Sequence, residues 1–428
     1  MKSPMSLQFE KISIIIILIT SQTIALHRIA FLDGNDLAVG ILFIGFFMKI
    51  ILRKEKYHFT LLDLLNLGFI GFVILSSING GLGSLIKSLI AFKVAMLSFL
   101  FGNFICKKNV ANHFIKWLTI TVSISSVIAI IQEIIYIKTG YVLAGSLKEY
   151  EYSYLLEVKT FGRTVLRAPG FMVSFKVFSF LLITNMLIIF NRYLYSQFKD
   201  SKTKIYFFLG FCLMLIALIL TFSKDSMIAL FGGIVFSFIV KRPNRIIHIL
   251  IGLLILGLGI YSVGLYKDIF NLISEEIRWG DVMMRIQVDK DGIYGFINNH
   301  FWIGQGFGKG WRYINNLYAW AAHNNIILAA DEIGILGLCS YLLLIGYTVF
   351  SIFTLNLTVK NMEDKALVRG LFFSIIFLFF LFQTHSGYID NVLWMYMGII
   401  QGVVLLLGVR PSVKKEIEGM EGIELGNP

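Results

Sequence analysis

A chain of 428 residues that is 57% hydrophobic and only 15% charged, with a mean hydropathy of +0.77, has too little polar surface to cover a soluble globule. A bilayer must supply the rest of its solvent. The formal net charge of +12 is not the footprint of a nucleic-acid partner, because the basic residues form no single face and sit beside the ends of apolar runs.

The first apolar run, from Ile12, ends in His27 and Arg28 with no small-residue cleavage site, so it reads as a first spanning helix and not as a signal peptide. Runs long enough to cross the membrane, at roughly 17 to 25 residues, follow in chain order. They lie at 12–31, 37–52, 59–78, 85–105, 114–137, 172–190, 205–222, 226–240, 246–266, 333–355, 370–385 and 391–409. These predict an all-α polytopic membrane protein with about 12 transmembrane helices. The cysteines Cys106, Cys212 and Cys339 lie in or beside these runs as small apolar residues, without the spacing of a zinc site or disulfide framework.

With a cytoplasmic N-terminus, more than half of the 38 Lys and Arg fall in the connections on the inner side, while the short outer turns at 33–36, 79–84 and 386–390 hold none. That asymmetry is the positive-inside rule for short loops, and it places both termini in the cytoplasm. The predicted organisation is helices 1–5 over 1–137, a long outer loop at 138–171, helices 6–9 over 172–266, a second long outer loop with a short helix at 267–332, helices 10–12 over 333–409 and a tail at 410–428. Loops of this length are uncommon without a job, and together they carry most of the Lys and Arg that do not fall on the inner side.

A continuous helix from Ala322 to Leu355 would run about 50 Å, beyond the hydrocarbon core. It must bend or break, and Asp331, Glu332, Gly334 and Gly337 mark the place. Non-helical backbone at that depth is tolerated where it lines a protein-walled cavity, so the break itself points to a site. Lys87, Lys93 and Lys176 lie within apolar runs, where a cation is costly. Lys87 and Lys176 are near enough to the outer edge to snorkel, which makes Lys93 the more informative as a residue lining an anion-binding cavity.

Three local patterns stand out. Arg167-Ala-Pro-Gly170-Phe-Met leads directly into a span, and Thr221-Phe-Ser223-Lys224 forms a threonine-serine-lysine turn at the start of another. The third runs from Arg285 through Phe301-Trp-Ile-Gly304-Gln-Gly306-Phe-Gly308 to His323-Asn324 and Glu332-Ile-Gly334-Ile-Leu-Gly337. Together they resemble the O-antigen ligase and O-antigen polymerase superfamily, with Lys224 where its turn usually has arginine, and the likeness covers about 165–350 and the hydropathy profile. It implies a GT-C-like membrane glycosyltransferase in a bacterial inner membrane, with its active site facing the periplasm. It further implies inverting glycosyl transfer without metal or cofactor. The donor would be an undecaprenyl-diphosphate-linked glycan and the acceptor another glycan or the lipid A-core, with a flippase and a chain-length regulator as partners.

The chemistry of these residues points the same way. A leaving diphosphate gains negative charge as the glycosidic bond breaks, and arginine forks bind phosphate oxygens bidentately. The acceptor hydroxyl needs a proton acceptor, and an imidazole with an unperturbed pKa of about 6.5 is poised for that. Arg167, Arg285 and His323 are therefore the expected catalytic residues, with Lys224, Asn324, Lys93, Gly304 and Gly306 as substrate-binding residues. His300 and His385 match no motif and are expected to be structural. The run Gly304-x-Gly306-x-Gly308-x-Gly310 follows no strand, and no Ser or Thr follows Lys309, which speaks against a nucleotide loop. It is either a turn that lets backbone approach a diphosphate or glycan, or a structural turn. Lys224 favours the more divergent polymerases, with the ligase as alternative; a lipid-linked oligosaccharide transporter is opposed by the long loops and by the absence of two-half symmetry.

Overall fold

The computed structural model describes residues 11–13, 15–16, 28–29, 32–51, 59–142, 157–160, 163–170, 174–195, 201–243, 279–298, 300–314, 318–383 and 390–408. The expected span at 246–266, most of that at 12–31, His385 and the tail lie outside these residues. Among the described residues the chain is nearly all helical, and seven helices are long and apolar enough to cross a membrane. These are α2 (Leu61–Asn79), α3 (Leu82–Ile105), α4 (Lys108–Thr139), α5 (Phe175–Leu194), α6 (Ser201–Leu220), α9 (Asn325–Thr358) and α11 (Asn391–Gly408). The protein is a polytopic membrane protein.

Three more helices occupy expected runs: α1 (Gly34–Ile51), α7 (Lys224–Lys241) and α10 (Met362–Leu381). Both α7 and α10 begin with charged residues in the first turn, Asp225 in one and Glu363 and Asp364 in the other, where carboxylates suit the helix dipole. The run at 12–31 does not stay helical to its end. Arg28–Ile29 (β1) pairs antiparallel with Leu32–Asp33 (β2), a reversal that starts where charged and polar residues interrupt the apolar pattern.

The two long connections also contain structure that their composition does not announce. In the first, β3 (Glu157–Thr160) and β4 (Arg163–Leu166) form a hairpin whose register pairs Glu157 with Leu166. In the second, α8 (Trp279–Asn298) is followed by the hairpin of β5 (Trp311–Ile314) and β6 (Tyr318–Ala321), with Trp311 opposite Ala321. Each hairpin returns the chain to the level at which it left. One thereby delivers Arg167 and the other His323.

Close helix packing follows from small residues, as expected where lipid gives no hydrophobic drive between helices. Gly398 and Gly402, four apart on α11, face Ser98 and Gly102 on α3; a Cβ at Gly398 would come within 2.2 Å of the Ser98 carbonyl oxygen. Gly370 of α10 lies against Ile188 of α5, and Ser374 donates to the Thr184 carbonyl at 2.9 Å.

The expected break in the long helix is at Gly334, with φ 68° and ψ −173°. A break leaves carbonyls and N–H groups without helical partners, and the glycine run supplies them. Gln305 and Gly306 N–H donate to the carbonyls of Asp331 and Glu332, both at 3.0 Å, while Ile335 and Leu336 N–H donate to the carbonyls of Phe301 and Trp302. Only glycine allows this approach. A Cβ at Gly304 would lie 2.2 Å from the Glu332 carbonyl oxygen, and one at Gly334 would lie 2.4 Å from that of Trp302.

Candidate functional site

The ends of α2, α4, α6 and α10 and the starts of α3, α5, α7 and α9 meet at one end of the bundle, and the expected catalytic residues gather there. Arg167 leaves β4 in a segment held from both sides. Ala168 N–H donates to the Leu220 carbonyl at 3.2 Å, and Gly170 exchanges two hydrogen bonds with the Gln132 side chain, at 3.0 and 2.9 Å. Gly170 has φ 61°, and a Cβ there would meet Ser125 Oγ at 2.6 Å, so this turn into α5 requires glycine. The half-buried Arg167 guanidinium lies 4.7 Å from the centre of the Phe175 ring, a cation–π placement that holds its plane.

One residue on, Lys176 does not snorkel to the edge as its sequence position allows. Its Nζ lies 3.4 Å from Asp225 Oδ2, and both side chains are largely buried. Asp225 belongs to the turn that begins α7. There Phe222 has φ 49°, an unusual conformation for a bulky residue. Ser223 Oγ lies 2.6 Å from Asp225 Oδ1 and 2.7 Å from Ser226 Oγ, which in turn lies 2.7 Å from Ser179 Oγ on α5. This polar ladder ties α5 to α7 behind the cations. Asp225→Ala would strand the Lys176 ammonium; we expect a loss of about 2–3 kcal/mol in a thermal unfolding measurement in detergent, below the cost of breaking a fully buried pair. Asp225→Asn, which keeps the hydrogen bonds, is expected to lose less.

Arg285 stands on α8. The Lys176 ammonium is within electrostatic reach of both Arg167 and Arg285, so three cations from three separate elements converge. Four residues along the same face, Asp289 feels the Arg285 charge and accepts the His323 N–H at 3.0 Å. Burial raises the Asp289 carboxyl above its ordinary value, opposed by the N–H groups of His323 and Asn324 and then by Arg285. Gly292 lets α8 lie against Ile327 and Ala322, which fixes α8 to the start of α9. Asp289 thus sets the position of the residue pair that begins the broken helix.

The remaining expected site residues have more varied places. Asn324 is the N-cap of α9, its side-chain oxygen accepting from Ile326 and Ile327 N–H. Lys224 is exposed at the start of α7, one residue before Asp225. Lys93, inside α3, is within electrostatic reach of the Asp390 carboxyl just before α11. Burial pushes that carboxyl up to about 6, opposed by the Val392 and Leu393 N–H groups and then by the charge of Lys93. The approaches that Gly304 and Gly306 permit are filled by protein: Glu332 backbone at one and Gly80 backbone at the other. Gly308 likewise lies against Lys87, whose Nζ donates to its carbonyl at 2.9 Å.

Sequence reasoning missed Asp225, Asp289 and the pairing of Lys176. A signal for two of them was present. Asp289 falls one helical turn after Arg285, and Asp225 adjoins the Thr-x-Ser-Lys turn at a helix start.

No curated protein matches the chain. Residues 209–342, which hold the α7 turn, Arg285, Asp289, His323 and the helix break, match the family model described as O-antigen ligase, so over that stretch the chain is similar to the O-antigen ligases.

Proposed function

We propose that this protein is a surface-polysaccharide polymerase that joins lipid-linked oligosaccharide repeats by transferring a glycan from an undecaprenyl diphosphate to a sugar hydroxyl. The observation that carries the reading is the grouping of Arg167, Lys176 and Arg285 near Asp289, which holds the His323 N–H, at one end of a membrane bundle. Fixed cations in a water-poor site are what a departing diphosphate needs, because they stabilise charge that develops only as the bond breaks. In this reading Arg167 and Arg285 hold the diphosphate, and Lys176, held by Asp225, adds a third positive charge. Lys224 assists from the start of α7. His323 takes the proton of the acceptor hydroxyl as its oxygen attacks the anomeric carbon on the face opposite the leaving diphosphate. The positive-inside rule puts this end on the periplasmic side of the inner membrane. Asn324, Gly304 and Gly306 then support the site through the geometry of α9, and Lys93 acts with Asp390 in place of contacting the donor.

The description of the matched family favours a second reading, a ligase that delivers the glycan to the lipid A-core. The surface glycan of a deletion strain separates the two. Loss of a polymerase leaves a core carrying one repeat, whereas loss of a ligase leaves a bare core and accumulated long lipid-linked glycan. Single lipid-linked repeats trapped on the cytoplasmic face would instead identify a flippase and overturn both. His323→Ala, present in the membrane at normal abundance, is expected to reproduce the deletion phenotype; wild-type chains from that variant would remove His323 from the mechanism.

A further inference from the structure

A second site lies at the far end of the bundle. Along α2, Asp63 and Asn66 are some 20–25 Å from Asn79, which donates to the Gly304 carbonyl beside the helix break. They line a cavity of about 340 Å³ between α1, α2 and α3 whose other walls are apolar, with Phe43, Phe59, Phe92 and Phe99 among them. That volume is in the range of about 300–1,000 Å³ usual for small-molecule sites. Its rim residues Phe47, Leu67 and Phe92 are exposed on the outer faces of their helices, so in a membrane the cavity opens toward lipid.

Asp63 and Asn66 are the polar residues of an otherwise apolar lining. Asp63 is 3% exposed and Asn66 4% exposed. Asp63 Oδ2 accepts from Thr60 N–H, Thr60 Oγ and Gln401 Nε2, at 2.8, 2.8 and 2.9 Å. Among the described residues its Oδ1 has no hydrogen-bond partner, and neither the oxygen nor the nitrogen of the Asn66 amide has one. Among the described residues no cation lies within ion-pair distance of Asp63. Buried groups of this kind are costly unless satisfied, and a carboxylate most of all. The open valences are two acceptors, one of them anionic, and one donor.

We propose that this cavity binds an amine-headed phospholipid. The ammonium donates to Asp63 Oδ1 and Asn66 Oδ1 and neutralises the carboxylate, a phosphate oxygen of the same headgroup accepts from Asn66 Nδ2, and an acyl chain follows the phenylalanine wall outward. An ethanolamine head carries its cation and its acceptor at the short separation that Asp63 and Asn66, three residues apart on one helix face, present. An anionic headgroup without an amine would set charge against Asp63 and leave both acceptors empty. The inference rests on the membrane character of the chain and is independent of the proposed transferase reaction.

The test uses the full-length protein in mild detergent, challenged with phosphatidylethanolamine and, separately, with phosphatidylglycerol, and read by native mass spectrometry and thermal midpoint. Wild type is expected to retain one phosphatidylethanolamine at least about tenfold over phosphatidylglycerol, one decade being about 1.4 kcal/mol, and to melt higher in its presence. Asn66→Leu, which removes the unpartnered amide without introducing charge, is expected to lose that preference and the thermal shift. Asp63→Asn keeps an acceptor for the Thr60 cap and is expected to lose it as well. Equal or greater retention of phosphatidylglycerol by wild type would overturn the proposal without recourse to any variant, as would an Asn66→Leu protein that holds phosphatidylethanolamine like wild type.

Discussion

Arg285→Ala is expected to lower glycan product by about 10²–10³-fold, the usual cost of removing one preorganised donor from a developing anion. Abundance in the membrane should stay near wild type, because Arg285 comes from α8, which is not among the seven spanning helices of the described residues. Arg167→Ala should fall as far, with some loss of stability from the abandoned Phe175 ring. Arg285→Lys discriminates between charge and shape. A lysine at that position restores the positive potential felt by Lys176 and Asp289 but not the planar fork, so little activity should return. Product measured with purified lipid-linked repeats decides the matter: near-complete rescue by Arg285→Lys would mean that only electrostatics is needed, and wild-type turnover by Arg285→Ala would remove it from the proposed diphosphate site.

Gly304→Ala and Gly334→Ala are expected to be among the most damaging small substitutions in the chain. Both glycines have left-handed backbone, φ 73° and φ 68°, which costs an L-residue roughly 1–2 kcal/mol before any contact is considered. The added methyl then meets backbone, 2.2 Å from the Glu332 carbonyl oxygen in one case and 2.4 Å from that of Trp302 in the other. Backbone does not yield as a flexible side chain does, so the total should exceed about 3 kcal/mol. Loss of folded protein, followed by abundance and by thermal midpoint, is the expected result. Gly346→Ala is the control: it lies on the same helix with open space around it and should lower neither.

Hydropathy made the spanning helices legible, since an apolar run of the right length has few alternatives once a bilayer is the solvent. The break at Gly334 was legible for the same reason, because a helix of that length does not fit the membrane. The hairpins were not. Glu157–Thr160 and Trp311–Ile314 are four-residue strands in polar or mixed sequence, too short for alternation to register, and their pairing partners lie across turns that composition alone does not fix. The cations Arg167 and Arg285 stood out as arginines beside family-like motifs, while the carboxylates that organise their neighbourhood did not. Asp225 and Asp289 are ordinary residues in sequence, and their significance lies in Lys176 and in the His323 N–H, which are brought to them by other elements. For the glycine run the sequence left two uses open, and the hydrogen bonds to residues 331–336 show its structural one.

The glycine run is also tied to the first half of the chain. Asn79 donates to Gly304, Ser84 to Phe307 and Lys87 to Gly308, and Ser76 donates to the Glu332 carbonyl, so the ends of α2 and α3 grip the segment on which His323 and its helix are seated. None of those four residues falls in the stretch that carries the family signature. A chimera that imports residues 61–105 from a distant relative is therefore expected to abolish the proposed transfer while leaving every signature residue in place, and co-transplanting residues 300–310 would be the way to repair it.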